Sequence, residues 1–583
     1  MRPLRIGLAQ INPTVGDLDG NCALIAARIA EARELGVDLL VFPEMVVPGY
    51  PPEDLLLRPA FIARTIEKTR ELVPLTHGMT VVVGSIERDV DLYNSAAIMH
   101  DGQWIGTARK RYLPNYGVFD ENRYFASERQ SNVFTRGGIV FGVNVCEDIW
   151  LSGGPSEEQV VRGGAEIILN LSASPYHTHK SIERRRMLST RAADNLAIVA
   201  YVNLVGGQDE IVFDGASLLI DQHGKVIAEG LAFAEDLVVA DLDLDEVFNA
   251  RLHDTRLRRE RQLEEVAPLE RIELPVVSQP QNDANGGVIT RPALIARKQR
   301  APVDELAEVY QGLVLGLHDY VTKNGFETVV LGLSGGIDSA LTAAIAADAL
   351  GSGHVVGVSM PSEYTSSESQ DDAEALAKNL GLRFQTLPIR AVMDSYEQAL
   401  APAFTGRTPD ITEENLQARI RGNYLMSLSN KFGWLVVTTG NKSETSVGYS
   451  TLYGDTAGGF AVLKDVYKTQ VYELSRWRNA QVTVIPEHTI TRAPSAELRP
   501  NQTDQDSLPP YDVLDDILKL YVEDDRAIAE IVRVGHDEAT VRRVARLVDL
   551  AEYKRRQSPP GIKITPRAFG KDRRLPITNR WRG

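Results

Sequence analysis

The sequence predicts an α/β protein in two halves: an α/β sandwich, then a doubly wound parallel sheet. Three observations lead there. In the first half, short apolar runs follow one another with few helical stretches between them, which suits stacked sheets better than one parallel sheet. Near the middle the pattern dissolves into VVSQPQNDANGGVITRP, rich in Pro, Asn, Gln and Gly. In the second half strand and helix patterns alternate, as a doubly wound sheet requires. Residues 1–256 and 304–583 are therefore expected to be domains and 257–303 a linker.

The elements follow from local pattern. Leu4 to Ile11, Val37 to Phe42, Val81 to Ile86, Gly138 to Val145, Glu166 to Leu171 and Ala197 to Asn203 read as strands, and Asn21 to Leu35 has helical spacing. Asn94 to Lys110 reads as a hairpin turning at Asp101-Gly102, with a second hairpin around Gln222-His223-Gly224. Beyond the linker, Leu306 to Val321 is helical by its apolar spacing. Strands are expected at Thr328 to Leu333, His354 to Met360 and Trp434 to Thr438, and helices at Asp338 to Leu350 and Glu368 to Leu380.

Composition narrows the class. The chain has 583 residues, 43% hydrophobic and 24% charged, which excludes a largely disordered or fibrous chain. Its 63 basic against 79 acidic residues give a net charge of −16, which argues against a non-specific nucleic-acid binder. The two cysteines, Cys22 and Cys146, exclude a disulfide scaffold and a Cys-rich zinc site, so the reducing cytoplasm is the expected compartment. The opening MRPLRIGLAQINPTVGD is not read as a signal peptide, because Arg5 and Gln10 interrupt its apolar run. No apolar run of about 18 residues occurs, so neither a transmembrane helix nor a membrane partner is expected.

The strongest motif is VVLGLSGGIDSALTAAI, a buried strand, a Gly-Gly turn and a helix start. Backbone N–H groups of such a turn, with the helix N-terminus, suit an anion. The spacing lacks a Walker A lysine. Asn415 and Arg419, four apart, share one helical face, and TTGNKSE follows a strand end, where such sheets place ligands.

SGGIDS resembles the loop of the ATP pyrophosphatases, and SGGIDS, ENLQARIRGNYLM, TTGNKSE, YGDTAGGF and DVYKTQ in this order resemble the NAD⁺ synthetases. That resemblance implies adenylation of the nicotinate carboxylate of deamido-NAD⁺ by ATP, then displacement of AMP by ammonia. It implies that Ser334, Gly335, Gly336, Ile337, Asp338, Ser339, Met360, Thr439 and Lys468 bind ATP, and that Asp338 and Glu444 hold Mg²⁺. Asn415, Arg419, Glu444, Asp455 and Lys554 would bind deamido-NAD⁺. No prosthetic group is implied. Two positions depart from the pattern: Tyr553 stands where relatives often carry His, and Gly459 where ammonia-only members tend to carry Asp. The second leans towards the glutamine-using branch.

In the first half, Glu44 ends the apolar run VDLLVFPE, Lys110 ends a hairpin strand, and Cys146 ends another strand. A carboxylate there is badly placed for a core and well placed for a site. Arg109, Lys110 and Arg111 are all basic, and spacing alone does not choose among them. The trio resembles the nitrilase/amidase family, an αββα sandwich, which selects Lys110. The family implies Glu44 as general base, Cys146 as nucleophile and Lys110 as oxyanion stabiliser. It also implies that Tyr116, Glu147, Ser174 and Lys180 bind glutamine. His177 and His179 have a metal-pair spacing without a third ligand and read as loop histidines; Cys22 reads as core or bland surface.

Together the resemblances span nearly the whole chain and imply a ligase of the glutamine-dependent NAD⁺ synthetase family, using glutamine, ATP and deamido-NAD⁺ and assembling at least as a homodimer through the second half. A dry passage for ammonia and nucleotide-stimulated glutamine hydrolysis are further expectations. Two other readings stay open at this level: a different amidotransferase of the ATP-pyrophosphatase type, acting on xanthosine monophosphate or aspartate, and a non-catalytic nitrilase-like binding or scaffold protein whose second half senses nucleotide.

Overall fold

In the computed structural model, which describes residues 2–263, 267–275, 291–295, 297 and 304–581, the chain divides into two compact units. One comprises Met1–Gln208 and Phe213–Pro302; the other comprises Asp209–Val212 and Val303–Gly583.

The first unit stacks two sheets between outer helices. One sheet runs in the order Asp236–Asp243, Pro3–Gln10, Leu39–Val41, Thr80–Arg88, Leu92–His100, Gln103–Arg109. The other runs Val226–Glu229, Leu218–Ile220, Ile198–Asn203, Ile167–Ser172, Ile139–Val145, Asn132–Arg136, Glu270–Glu273. Side chains alternate between faces. Leu169 and Leu171 meet Ile6, Leu8, Val82 and Ile98 of the facing sheet, whereas Ile168 turns outward to Val160, Leu188 and Ala192 of the helices Pro155–Val161 and Lys180–Asn195. Helix Pro59–Glu71 covers strand Thr80–Arg88 of the other sheet. This is the expected α/β sandwich. The hairpin at Asp101-Gly102 is also found, with both residues at positive φ as a type I′ turn requires.

Two features depart from the sequence reading. Asp236–Asp243, for which no strand is predicted, pairs along the whole of the first strand, from Pro3↔Asp243 to Gln10↔Asp236. The stretch after Leu257, expected to be linker, is still structured: Arg256–Leu263 is helical and Glu270–Glu273 pairs in parallel with Asn132–Arg136. Few of these residues are apolar, but Leu257 and Leu269 join the outer core, and the Arg261 guanidinium donates to the carbonyls of Val160 and Val161. The Pro-, Asn- and Gly-rich residues 276–290 lie outside the described residues.

The second unit is a five-stranded parallel sheet in the order Arg383–Thr386, Val355–Ser359, Val329–Gly332, Leu435–Thr438, Phe460–Ala461. The strand order reverses between Val329–Gly332 and Leu435–Thr438, which opens a crevice at their carboxyl ends. Helices Tyr511–Leu518 and Glu538–Leu550 build a second core with Val447 and Tyr467. Among the described residues no helix is long and apolar enough to cross a membrane.

Candidate functional site

Two sites emerge, one in each unit. In the first unit, Lys110 directly follows strand Gln103–Arg109 and Cys146 directly follows Ile139–Val145, while Glu44 lies just beyond Leu39–Val41. Strands place each polar group in the interior at their carboxyl ends. The Lys110 ammonium donates to Glu44 Oε1 at 2.7 Å and to Glu121 Oε1 at 2.9 Å, with the side chains of Lys110 and Glu44 wholly buried. Asn94 Nδ2 donates to Glu44 Oε1 at 2.7 Å, and the Ala173 N–H donates to Glu44 Oε2 at 2.9 Å. Both oxygens of Glu44 are thus aimed by fixed donors.

Cys146 sits at φ 46°, a left-handed conformation that costs an L-residue about 1–2 kcal/mol and so needs a firm frame. Asp148 supplies it: Oδ2 accepts from the Val145 N–H at 3.0 Å, and Oδ1 accepts from the N–H groups of Arg111 and Tyr112 at 3.1 and 2.9 Å. One carboxylate therefore ties the cysteine turn to the chain leaving Lys110. Asn170 Nδ2 donates to the Cys146 carbonyl at 3.3 Å.

Electrostatics assigns the protons. Burial pushes the Cys146 thiol well up, the Glu44 charge adds to that, and Lys110 opposes it. The resting group is a thiol that needs a base. Burial works against the Lys110 ammonium, but the Glu121 and Glu44 carboxylates outweigh it and keep the lysine charged. Glu121 is pushed up to about 7, by burial first, with Lys110 opposing and Glu44 assisting. The arrangement can take a thiol proton, carry an acyl group on sulfur and face an oxyanion with a fixed cation.

The sequence reading missed Glu121 and Asn94. Glu121, in GVFDENRYF beside Asp120, looks like a solvated loop acid, and only the fold buries it. Of the expected amide-binding residues, the Tyr116 hydroxyl donates to both Glu147 oxygens at 3.0 Å, Ser174 is buried at the strand-end loop, and Lys180 lies 4.1 Å from the Trp150 ring centre. Burial lowers the Lys180 pKa. Among the described residues no cluster of three or more His, Cys, Asp or Glu side chains suited to a metal is found, at His177 and His179 or elsewhere.

In the second unit, a cavity of about 330 Å³ is lined by Ser334, Gly336, Ile337, Asp338, Ser339, Met360, Thr439, Glu444, Asp455 and Lys468. Gly335 stands at φ 80°, and a Cβ there would lie 2.3 Å from the Ser369 carbonyl oxygen, so both conformation and space demand glycine. The loop is braced by Gly336 N–H to Ser334 Oγ at 3.2 Å and by Ser339 Oγ to the Gly336 carbonyl at 2.9 Å, and helix Ile337–Leu350 points its N-terminus into the cavity.

Lys468 donates to Asp338 Oδ2 and, at 3.3 Å, to Glu444 Oε1. Asn441 fixes both acids: its Nδ2 donates to Asp338 Oδ1 at 2.9 Å and its Oδ1 accepts from the Glu444 N–H at 3.0 Å. Glu444 is pushed up to about 8, by burial first, with Lys468 opposing and Asp338 assisting. Two oxygen donors converging on one ammonium fit a small hard cation whose remaining ligands come from phosphate and water.

Asp455 lines the same cavity, and burial pushes it up to about 6. Asn415, Arg419 and Lys554 do not line it. Instead, they frame the chain around Asp455. Asn415 Oδ1 accepts from Thr451 Oγ1 at 2.7 Å, Arg419 Nε donates to the Leu452 carbonyl at 3.3 Å, and Lys554 Nζ donates to the carbonyls of Gly448 and Ser450 at 2.7 Å. Arg421, Arg492 and Asp504 also line the cavity and were not among the expected site residues.

Comparison with known proteins agrees with this division. The carbon-nitrogen hydrolase family model matches residues 5–251 and the NAD synthase model residues 309–558. The glutamine-dependent NAD(+) synthetase of Thermotoga maritima is 51% identical over 588 residues, covering 100% of both chains. That of Aquifex aeolicus is 47% identical, covering 99% of this chain and all of its own. The structure of the glutamine-dependent NAD⁺ synthetase from Acinetobacter baumannii with adenosine diphosphate is 43% identical, covers 99% of each chain and superposes with a TM-score of 0.73.

Proposed function

The chain belongs to the glutamine-dependent NAD(+) synthetases, and we propose how its residues divide that reaction. Deamido-NAD⁺, ATP, glutamine and water become NAD⁺, AMP, pyrophosphate and glutamate. In the first unit, the Glu44 carboxylate takes the thiol proton of Cys146, and sulfur attacks the glutamine amide carbon. The Lys110 ammonium faces the oxyanion. Collapse forms the thioester, and Glu44 returns the proton as ammonia leaves. Glu44 then takes a proton from water, hydroxide attacks the thioester carbon, and glutamate departs as the thiol re-forms.

In the second unit, the loop Ser334–Ser339 receives the ATP phosphates on backbone N–H groups and the helix N-terminus. An oxygen of the nicotinate carboxylate attacks the α-phosphorus and pyrophosphate leaves. Ammonia then attacks the activated carbonyl, loses a proton and expels AMP. Met360 and Thr439 lie along the nucleotide. Asp338 and Glu444 would hold Mg²⁺, which when bound neutralises charge building on the pyrophosphate. Lys468 leaves those carboxylates to pair with phosphate. Asp455 meets deamido-NAD⁺ within the cavity, while Asn415, Arg419 and Lys554 shape the segment that receives it. Tyr116, Glu147, Ser174 and Lys180 receive the glutamine head group. The working form is at least a homodimer through the second unit, in the cytoplasm.

The observation that carries this reading is the buried bond from Lys110 to Glu44 beside Cys146, in a chain that also holds a carboxylate-flanked phosphate loop. The test is NAD⁺ formation by Cys146→Ala with ATP and deamido-NAD⁺. We expect failure with glutamine and retention with ammonium at alkaline pH. Synthesis from glutamine by this variant would remove Cys146 from the reaction. Failure with both nitrogen sources in a folded variant would overturn the assignment of the second unit.

A further inference from the structure

Strands Ile139–Val145, Ile167–Ser172 and Ile198–Asn203 lie side by side and end at the glutaminase site. Cys146 follows the first and Ser174 the second; Asn203 ends the third, opposite Ser172 in the parallel register. Nothing in the reaction described above uses Asn203. It is completely buried, and its amide grips one residue from both sides. Its Oδ1 accepts from the Ser174 N–H at 2.8 Å, and its Nδ2 donates to the Ser174 carbonyl at 3.2 Å.

An asparagine amide can be turned end for end, and a symmetric environment would leave its sense open. Here the sense is imposed. Nδ2 also faces Asp214 Oδ1 at 3.4 Å and the Gly215 carbonyl at 3.2 Å, both acceptors. Asp214 is held by a buried pair with both terminal nitrogens of Arg184. The Asn203 N–H donates to Ser217 Oγ at 3.0 Å, which fixes the backbone from which the amide projects. An ion pair of this burial is costly to build, so a role in orienting a neighbour accounts for it better than stability does.

The residue before Ser174 completes the link to chemistry, because the Ala173 N–H donates to Glu44 Oε2. One gripped dipeptide thus presents both the Ser174 side chain and a hydrogen bond to the general base. From this geometry we propose that Asn203, oriented by Asp214 and Arg184, is a positioning residue for glutamine. It sets Ser174 against the substrate head group, while Glu44 keeps its other donors, Lys110 and Asn94.

The proposal rests on the glutaminase reading, and its test separates the two. Cys146 is alkylated in wild type and in Asn203→Ala by two reagents, iodoacetamide and the glutamine-shaped diazoketone 6-diazo-5-oxo-L-norleucine. We expect the diazoketone to inactivate Asn203→Ala at least tenfold more slowly, with iodoacetamide within about twofold of wild type. The KM for glutamine should rise more than kcat falls, and Ser174→Ala should reproduce that pattern. The double variant should lose little more than either single one, as coupled neighbours do. Ammonium-dependent NAD⁺ formation reports that the chain is folded. Equal slowing of both reagents would mean general loosening of the site and would overturn the proposal, as would wild-type rates with both. A wild-type enzyme that the diazoketone does not inactivate would instead sink the glutaminase reading itself. Should Asn203→Ala fail to fold, Asn203→Ser, which leaves a smaller cavity and a single hydroxyl in place of the two-sided grip, is read in the same way.

Discussion

Replacing Lys110 by methionine removes the ammonium that Glu44 and Glu121 share while nearly keeping its volume. Both carboxylates stay buried, Glu44 at 0% and Glu121 at 5% side-chain exposure. Losing one partner of a buried ion pair costs about 3–5 kcal/mol. A way out exists, because a carboxylate can take up a proton instead. Holding a proton on a group of unfolded pKa near 4.3 costs about 1.4 kcal/mol per pH unit above that value, so about 5 kcal/mol at pH 8 and under about 2 kcal/mol at pH 5.5. The sign follows: a carboxylate whose folded pKa is raised is best tolerated in acid and loses stability as pH climbs towards the raised value. Lys110→Met should therefore lose about 3–5 kcal/mol near pH 8 and about 1–2 kcal/mol near pH 5.5. At roughly 2–4 °C per kcal/mol for a domain of this size, calorimetry should find the first unit melting about 6–20 °C lower at pH 8, with a drop of only a few degrees in acid. Glutamine-dependent synthesis should fall by at least about 10²–10³ as oxyanion stabilisation is lost, with ammonium-dependent synthesis kept below the melting point. A melting shift that is independent of pH, or one that grows as pH falls, would refute the reasoning.

Three other outcomes are expected. Glu121 is raised to about 7, so glutamine kcat/KM should show an inflection near there that Glu121→Gln abolishes; a persisting inflection would assign the titration elsewhere. Glu444, raised to about 8, is largely protonated at neutral pH in the free protein, so loading with Mg²⁺ and ATP should release a proton and tighten as pH rises through that value. Calorimetric titration in buffers of different ionisation enthalpy measures this, and equal heats in all buffers would contradict it. Gly335→Ala places a Cβ 2.3 Å from the Ser369 oxygen in a left-handed backbone, so pyrophosphate release should fall at least tenfold with the nucleotide-free rate of glutamine hydrolysis intact; near-normal ATP turnover would show that the loop can shift.

The residues legible in sequence are those that break a pattern. Glu44 interrupts an apolar strand, Cys146 and Lys110 end strands, and SGGIDS interrupts a strand–helix passage with two glycines. Each violation of local preference marked a candidate site. Glu121, Asn94 and Asn203 violate nothing: an acid in a polar loop and amides at strand ends are ordinary, and their meaning comes from which strands lie side by side. The helical spacing of Asn415 and Arg419 put both on the segment 451–455, but periodicity could not tell a cavity wall from the frame behind it. The strand Asp236–Asp243 escaped because its pairing partner is the distant Pro3–Gln10.

That last pairing has a consequence for how the protein is made. The strand Pro3–Gln10 lies between Leu39–Val41 and Asp236–Asp243, so once made, one of its edges waits for a segment more than two hundred residues later. At about 5–20 residues per second of synthesis, that wait is on the order of ten to fifty seconds. Throughout it, the apolar strand Pro3–Gln10 offers an open edge to any other nascent chain. Truncations ending before Asp236 should accumulate as aggregates, and chaperone occupancy on translating ribosomes should drop once that segment clears the exit tunnel.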